Sequence, residues 1–148
     1  MKQKFIDAHM KVAEVYAELS SAKRLQVGCV IVKDNTIIGI GYNGMPSGWP
    51  NECEMVKHTD FTGTVVTMSK PEVLHAETNA IAKVAKSTNS TAGATMFITH
   101  APCLDCAKLV YQSGINSVYY RNSYRNDQGI DFLKKCEVEV CQVKPCNS

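Results

Sequence analysis

The sequence predicts an α/β fold, a three-layer α/β/α sandwich in which helices cover both faces of a mixed five-stranded sheet. Three observations support this prediction. Amphipathic segments with helical spacing alternate with short apolar segments. The first two apolar segments are separated by a short polar turn, which favours an antiparallel hairpin. The length of 148 residues suits one domain with a sizeable core, so we expect a single domain over residues 1–148.

The N-terminal part of the chain begins with a helix and continues into the hairpin. Apolar residues recur at roughly helical spacing over residues 5–19. Residues 27–32 and 37–41 are apolar runs of strand-forming residues, and residues 33–36 form the turn between them. Gly28 lies in the first strand, where the missing side chain allows another part of the backbone to approach closely.

The C-terminal part alternates helices with strands. We predict helices over residues 75–86 and 103–112 and a short helix ending at residue 135, and strands over residues 95–99, 116–120 and 137–143. The last strand alternates glutamate with valine, which is typical of a strand at the edge of a sheet. Val138 and Val140 would share its apolar face.

The composition indicates an ordinary globular protein. Apolar residues make up 45% of the chain and charged residues 20%, and no apolar run reaches membrane-spanning length. The net charge of +2 does not indicate a strongly basic surface, so a nucleic-acid partner is not expected. Seven cysteines form no regular disulfide framework. Reduced thiols and a metal site are therefore the better interpretation, which favours a cytoplasmic protein without a membrane partner.

Three residues have the side chains that Zn²⁺ prefers: the imidazole of His75 and the thiols of Cys103 and Cys106. The two cysteines are three positions apart at a predicted helix start, so they lie on the same face. Three protein ligands leave the fourth tetrahedral position for water, as in catalytic zinc sites. Glu77 follows His75 closely enough to exchange protons with that water. The alternative is a structural zinc, which would need a fourth protein ligand, and none stands at an obvious spacing. His100 is the spare imidazole that could compete for the metal, but it directly follows a predicted strand and could instead line the pocket.

Three blocks of sequence resemble the zinc-dependent cytidine and deoxycytidylate deaminase superfamily, and most closely its deoxycytidylate (dCMP) deaminases. The blocks are VGCVIV at 27–32 with GYNGMPSG at 41–48, HAETNAI at 75–81, and PCLDCAKL at 102–109. The last two contain H-x-E and P-C-x-x-C, the signature of zinc deaminases that act on nucleobases. A single C-x-x-C would be weak support, whereas this set in this order is specific.

The resemblance implies a cytidine deaminase-like fold and the hydrolysis of dCMP to dUMP and ammonia, which would supply thymidylate synthesis. Zn²⁺ is the implied cofactor, held by the histidine and the two cysteines of the last two blocks. Glu77 is implied as the catalytic proton carrier between water and the cytosine ring. Asn43 is implied as a ligand of the sugar 3′-hydroxyl, because an amide both donates and accepts hydrogen bonds. Ala76 and Pro102 complete the implied substrate-binding contacts.

A nucleotide substrate also needs a site for its phosphate. The candidates follow the fourth predicted strand and are Tyr120, Arg121, Tyr124 and Arg125. We favour one of the two arginines, since a guanidinium offers forked, charged donors to phosphate oxygens. The alternative is a solvated loop with ordinary surface arginines. Lys23 and Arg24, in the polar break before the first strand, could also meet a phosphate, although loop charges are the simpler interpretation.

The long segment of residues 49–72 is an insert between the hairpin and the zinc residues, and residues 65–68 within it suggest a short additional strand. Some dCMP deaminases use this region for a second zinc or for regulation by nucleotides. Cys53 and His58 are the candidate ligands of a second metal, with ordinary loop residues as the alternative. The resemblance further implies a homo-oligomer, commonly a hexamer, that dCTP activates and dTTP inhibits.

Three other functions compete with dCMP deamination. A related deaminase could act on another pyrimidine, such as dCTP or a riboflavin-pathway compound. A nucleic-acid deaminase is less favoured, because it would need a basic surface and salt-sensitive binding. A protein without enzymatic activity could use the metal to stabilise an interaction module. Replacing Glu77 separates this last alternative from the others, because only a deaminase needs that carboxylate.

Overall fold

The computed structural model describes residues 1–145 and contains two sheets and four helices within that range. The helices are α1 (Gln3–Ala17), α2 (Ala76–Ala85), α3 (Leu104–Gln112) and α4 (Gln128–Lys135). The strands are β1 (Gly28–Lys33), β2 (Thr36–Tyr42), β3 (Glu54–Thr59), β4 (Val65–Ser69), β5 (Thr95–His100), β6 (Ser117–Asn122) and β7 (Glu139–Gln142).

The main sheet is mixed and has the strand order β2-β1-β5-β6-β7. Strand β1 pairs antiparallel with β2 and with β5, whereas β5, β6 and β7 are parallel to one another. Parallel neighbours need a crossover connection, and α3 and α4 provide the two crossovers. The predicted hairpin, the later alternation of helices with strands, and the mixed five-stranded sheet are confirmed.

Helices cover both faces of this sheet, because its central strands are apolar on both sides. Alternate residues of β1 enter two different cores. Cys29 and Ile31 pack with α2, α3 and α4, whereas Val30 and Val32 pack with α1. The three-layer α/β/α arrangement predicted from the sequence is therefore confirmed. Val138 and Val140 pack against the same core, as predicted, although β7 is shorter than expected and Glu137 precedes it with φ of 60°.

The insert forms a second, two-stranded sheet of β3 and β4. The predicted strand near residues 65–68 is confirmed as β4, but its partner β3 was not predicted. Strand β3 lacks the regular alternation of a half-buried strand, since Met55 and Val56 are adjacent and both exposed. A backbone hydrogen bond of 2.8 Å from Lys70 to Cys53 closes the open end of this hairpin. No helix within residues 1–145 combines the length and the apolar character needed to cross a membrane.

Two glycines allow helices to lie unusually close to the main sheet. A Cβ atom at Gly28 would lie 1.9 Å from the carbonyl oxygen of Ala13 in α1, which confirms the predicted close approach. A Cβ atom at Gly41 would lie 2.1 Å from the carbonyl oxygen of Ala76 and 2.6 Å from the backbone nitrogen of Ala80. Both contacts are with backbone atoms, so a larger residue could be accommodated only if a helix moved.

We expect Gly41→Ala to displace α2 from β2 and to lower the free energy of unfolding by about 1–3 kcal/mol or more, the usual range for overpacking. Urea unfolding measures this change. Gly44→Ala is the matched control, because a Cβ atom at Gly44 meets nothing within 4 Å. Equal stability of the two variants would show that α2 does not depend on the close approach.

Candidate active site

Two helix N-termini converge at one end of the main sheet. His75 is the N-cap of α2 and Cys103 is the N-cap of α3. The path of the chain into α2 is fixed by an isolated β-bridge, in which Gly44 and Leu74 exchange backbone hydrogen bonds of 3.1 and 2.8 Å. Cys103 follows β5 closely, so the sheet positions α3. The site is therefore built from segments that are far apart in sequence and rigidly attached to the same sheet.

The three predicted metal ligands form a compact cluster. His75 Nδ1 lies 3.2 Å from Cys106 Sγ and 3.7 Å from Cys103 Sγ, and all three ligand atoms lie within 4.8 Å of one another. Usual Zn–S and Zn–N bond lengths in a tetrahedral site imply an S···N separation of about 3.6 Å. The donor types and their spacing therefore fit Zn²⁺ with one position left for a non-protein ligand. No other group of three or more such side chains occurs within residues 1–145.

The thiols and the imidazole of this cluster share protons. The pKa of Cys103 is lowered to about 4, first by a hydrogen bond from Cys106 and then by one from His75. The pKa of His75 is raised, chiefly by the same bond to Cys103, and the pKa of Cys106 is raised by its bond to Cys103 and by burial. Negative charge thus concentrates on sulfur, where a bound cation would take the place of the shared protons.

Glu77 lies in the first turn of α2, and its side chain is almost fully buried, with 4% exposure. Burial raises the pKa of this carboxyl to about 7, and a hydrogen bond to its own backbone N–H and the charge of His75 oppose the rise. A carboxyl group with a pKa near neutrality can both accept and release a proton. The predicted proton carrier therefore lies beside the ligand cluster with an acidity suited to its role.

His75 and Cys103 of the cluster line a cavity of about 690 Å³. Glu77 and Cys103 line this cavity together with three cationic side chains. These side chains come from three different segments: Arg24, Lys70 and Arg125. Lys70 was not identified from the sequence. Its position at the end of β4, just before the chain returns to α2, gives it access to the site. The sequence does not indicate this position, because the pairing of β3 with β4 that determines it was not predicted.

The other predicted substrate-binding residues divide into two groups. Those that line the cavity are Asn43, Ala76, Tyr124 and Arg125. Those that do not line it are Pro102, Tyr120 and Arg121. Pro102 is buried, and Tyr120 packs against the core on the α2 side of the sheet.

Arg121 lies on the opposite face of the sheet from Tyr120. Its Nε donates to the carboxylate of Glu14 in α1 at 2.7 Å, and its Nη1 donates to the carbonyl oxygen of Val143 at 3.0 Å. Its side chain is only 11% exposed. These contacts give Arg121 a structural role that joins α1, β6 and the C-terminal segment. The structure therefore directs the phosphate prediction to Arg125, which lies with Tyr124 on the loop after β6.

Asn43 lines the cavity but also holds a neighbouring loop. Its Oδ1 accepts the backbone N–H of Val27 at 2.8 Å, and its Nδ2 donates to the carbonyl oxygen of Leu25 at 2.7 Å. One amide hydrogen remains for a ligand. The predicted contact with a sugar hydroxyl stays a prediction, and the structure adds a positioning role that the sequence did not suggest.

Cys53 and His58 do not form a second metal cluster with any third ligand in the described residues. Cys53 is buried beside the open end of the β3–β4 hairpin, with 1% exposure, whereas His58 lies within β3 on its exposed surface. Burial raises the pKa of the Cys53 thiol, which disfavours the thiolate that a metal requires. The geometry therefore gives the second-metal prediction no support.

The fold and the site together define a class of metal-dependent hydrolases in which an α/β/α sandwich holds one histidine, two cysteines and a buried glutamate at the N-termini of two helices. The family model for the cytidine and deoxycytidylate deaminase zinc-binding region matches residues 3–122. The chain belongs to this family.

Individual relatives support this assignment. The deoxycytidylate deaminase of bacteriophage T4 is 31% identical over 172 residues, covering 93% of this chain and 89% of the phage protein. The human deoxycytidylate deaminase is 36% identical over 119 residues, covering 80% of this chain and 65% of the human protein. The crystal structure of dCMP deaminase from cyanophage S-TIM5, in complex with dCMP and dUMP, superimposes with a TM-score of 0.86. It is 44% identical, and the match covers 97% of this chain and 99% of that one.

We expect the purified protein to contain about one Zn²⁺ per chain, and Cys106→Ser to lose most of it, because a hydroxyl is a much poorer zinc ligand than a thiolate. Metal analysis measures the stoichiometry, and thermal unfolding measures the accompanying loss of stability. Cys141→Ser is the matched control, since Cys141 lies in β7 away from the cluster. Full zinc occupancy in Cys106→Ser would contradict the assigned ligand set.

Proposed function

We propose that this protein catalyses the hydrolytic deamination of dCMP to dUMP and ammonia, supplying dUMP for thymidylate synthesis. The observation that carries the proposal is the cavity itself. One part of it holds the buried carboxyl of Glu77 beside the zinc-type ligand cluster, and its lining also includes three cationic side chains. A pyrimidine nucleotide has the matching properties of a neutral base and an anionic phosphate. The names of the relatives from phage T4, human and cyanophage S-TIM5 agree with this substrate.

The proposed chemistry needs water activation and two proton transfers. Zn²⁺ held by the ligand cluster would supply Lewis-acid activation of water at its open position. Glu77 accepts the first proton from water as oxygen adds to C4 of the cytosine ring, and it transfers that proton to N3. Glu77 then moves the second proton from the new hydroxyl to the amino group, which leaves as ammonia. The carboxylate is regenerated, and a pKa near 7 suits both transfers.

The proposed phosphate site consists of Arg24, Lys70 and Arg125. These side chains come from the loop before β1, the end of β4 and the loop after β6, so they approach the cavity from different directions. Convergent cations favour a phosphate over a neutral sugar hydroxyl, which distinguishes a nucleotide from a nucleoside. A cavity of about 690 Å³ also lies within the usual range for small-molecule sites.

We extend the proposal to a homo-oligomer, with a hexamer as the favoured assembly and dCTP and dTTP as its effectors. The β3–β4 hairpin supports an assembly, because an isolated two-stranded sheet is only marginally stable in water. Several apolar side chains of this hairpin are exposed, and they are Met55, Val56, Phe61 and Val65. Burial against neighbouring subunits would stabilise both the hairpin and these side chains.

We expect Glu77→Gln to reduce turnover of dCMP by a factor on the order of 10²–10⁴, the usual contribution of a general acid–base group, while zinc stays bound. Ammonia release is measured with dCMP, dCTP, CMP, cytidine and single-stranded DNA. Glu72→Gln is the control, because Glu72 is an exposed carboxylate near the same segment. Turnover of another substrate with dCMP inert would refute the substrate. An interaction module without activity would turn over none of them.

We expect Arg125→Gln to raise KM for dCMP by about tenfold or more, the usual effect of losing a hydrogen bond from a charged group. The same change should have little effect on deoxycytidine, which lacks the phosphate. Arg121→Gln is the matched comparison, and we expect it to lower stability through loss of its contacts with Glu14 and Val143 while leaving this substrate preference intact. The reverse pattern would assign the phosphate contact to Arg121.

A further inference from the structure

His100 lies on the wall of the cavity and belongs neither to the ligand cluster nor to the cationic group. It is the last residue of β5 and is half-buried, three residues before Cys103. In the parallel register it pairs with Asn122, directly before the loop that carries Tyr124 and Arg125. Its ring therefore lies between the segment that carries the zinc-type ligands and the loop that carries part of the proposed phosphate site. This inference rests on the proposed function.

A buried hydrogen-bond chain fixes one side of the His100 ring. The backbone N–H of Gly28 donates to Thr99 Oγ1 at 3.1 Å, and Thr99 Oγ1 lies 3.1 Å from His100 Nδ1. The Thr99 side chain is buried, and its residue is only 3% exposed. The hydroxyl oxygen accepts a hydrogen bond from the Gly28 N–H, and its own hydrogen needs an acceptor.

His100 Nδ1 is the acceptor available to that hydroxyl among the hydrogen bonds of residues 1–145. If Nδ1 carried a proton instead, the buried Thr99 hydroxyl would have no acceptor, which is unfavourable. Nδ1 therefore accepts, and the ring proton resides on Nε2. Burial also lowers the pKa of His100, which keeps the ring neutral near pH 7.

The Nε2 atom has no hydrogen-bond partner in the described part of the chain, and it is not a buried unsatisfied atom. Because the ring lines the cavity, this N–H is available to a molecule bound there. A neutral donor suits a neutral acceptor. The negative phosphate is better matched by Arg24, Lys70 and Arg125, and ring N3 receives its proton from Glu77 in the proposed reaction. The strong acceptor that remains on a cytosine nucleotide is therefore the carbonyl oxygen at C2 of the ring.

We propose that His100 is a substrate-binding residue that donates its Nε2–H to the C2 carbonyl oxygen of the pyrimidine, and that Thr99 is the positioning residue that holds His100 in this tautomer. The series of hydrogen bonds from the Gly28 N–H through the Thr99 hydroxyl to the His100 ring then connects the backbone of β1 to the base. It would orient C4 toward Glu77 and favour pyrimidines that carry an oxygen at C2.

The tautomer is tested by NMR on zinc-loaded protein labelled with ¹⁵N-histidine, without nucleotide. The chain has four histidines, so the His100→Gln variant assigns the ring. We expect the Nε2-protonated pattern for His100 in the wild type and in Thr99→Ser, which keeps the hydroxyl, and loss of the exclusive pattern in Thr99→Val. A wild-type ring that is protonated on Nδ1 would overturn the proposal.

The carbonyl contact is tested with an altered substrate, 2-thio-dCMP, in which a poor acceptor replaces the oxygen. We expect wild type to lose about tenfold in kcat/KM on this change, as for one lost hydrogen bond, and His100→Leu to lose much less. His100→Gln retains an N–H donor and should recover part of the activity on dCMP that His100→Leu loses. If 2-thio-dCMP reduced kcat/KM by the same factor in wild type and in His100→Leu, the proposed contact would be refuted.

Deoxycytidine provides a second comparison. We expect removal of the phosphate to reduce kcat/KM by the same factor in wild type and in His100→Leu, because His100 does not contact the phosphate. A smaller loss of kcat/KM in His100→Leu would mean that His100 donates to the phosphate, which would overturn the proposal.

If wild type is inert on dCMP, the proposed function fails by itself. The tautomer spectrum still decides the hydrogen-bond chain, and the thio comparison is then made on the pyrimidine that reacts.

Discussion

The close packing of α2 against β2 is the constraint on which the site depends. Gly41 leaves no room for a side chain beneath Ala76 and Ala80, and Asn79 Nδ2 donates to the carbonyl oxygen of Tyr42 at 2.8 Å. These contacts fix the first turn of α2, which carries both a zinc-type ligand and the buried carboxyl. The second helix approaches from the other side of the same cavity at the end of β5. A metal would therefore link two elements that the sheet has already positioned.

Two kinds of charged side chain line the cavity. The buried carboxyl of Glu77, with its pKa raised to about 7 by desolvation, shares the cavity with a ligand cluster rich in sulfur. Cationic side chains enter the lining from loops and from the hairpin, and Arg24 and Arg125 are exposed. The difference has a physical reason. Proton transfer benefits from an environment that excludes water, whereas phosphate recognition uses long side chains that remain partly solvated.

The sequence predicted the features that depend on local pattern. Helical and strand periods identified the main sheet, and His75, Cys103 and Cys106 were identified by ligand chemistry and spacing. The proposed phosphate site was less predictable, because Arg121 and Arg125 are equally plausible in sequence. Which face of β6 Arg121 occupies depends on the register of a parallel sheet, and its partner Glu14 is 107 residues away. Long-range pairing of this kind has no local signal.

The hairpin illustrates the same limit and shows why the insert matters for the site. Glu54, at the start of β3, accepts the backbone N–H groups of Lys23 at 2.7 Å and Arg24 at 3.1 Å, while Lys70 lies at the end of β4. One carboxylate thus holds the loop that presents one cationic side chain, and the same hairpin supplies another directly. A movement of the hairpin would alter the cationic lining of the cavity before it altered Glu77, which is held by α2. The cationic part of the cavity lining therefore depends on the hairpin and the loops, whereas the position of the buried carboxyl depends on α2.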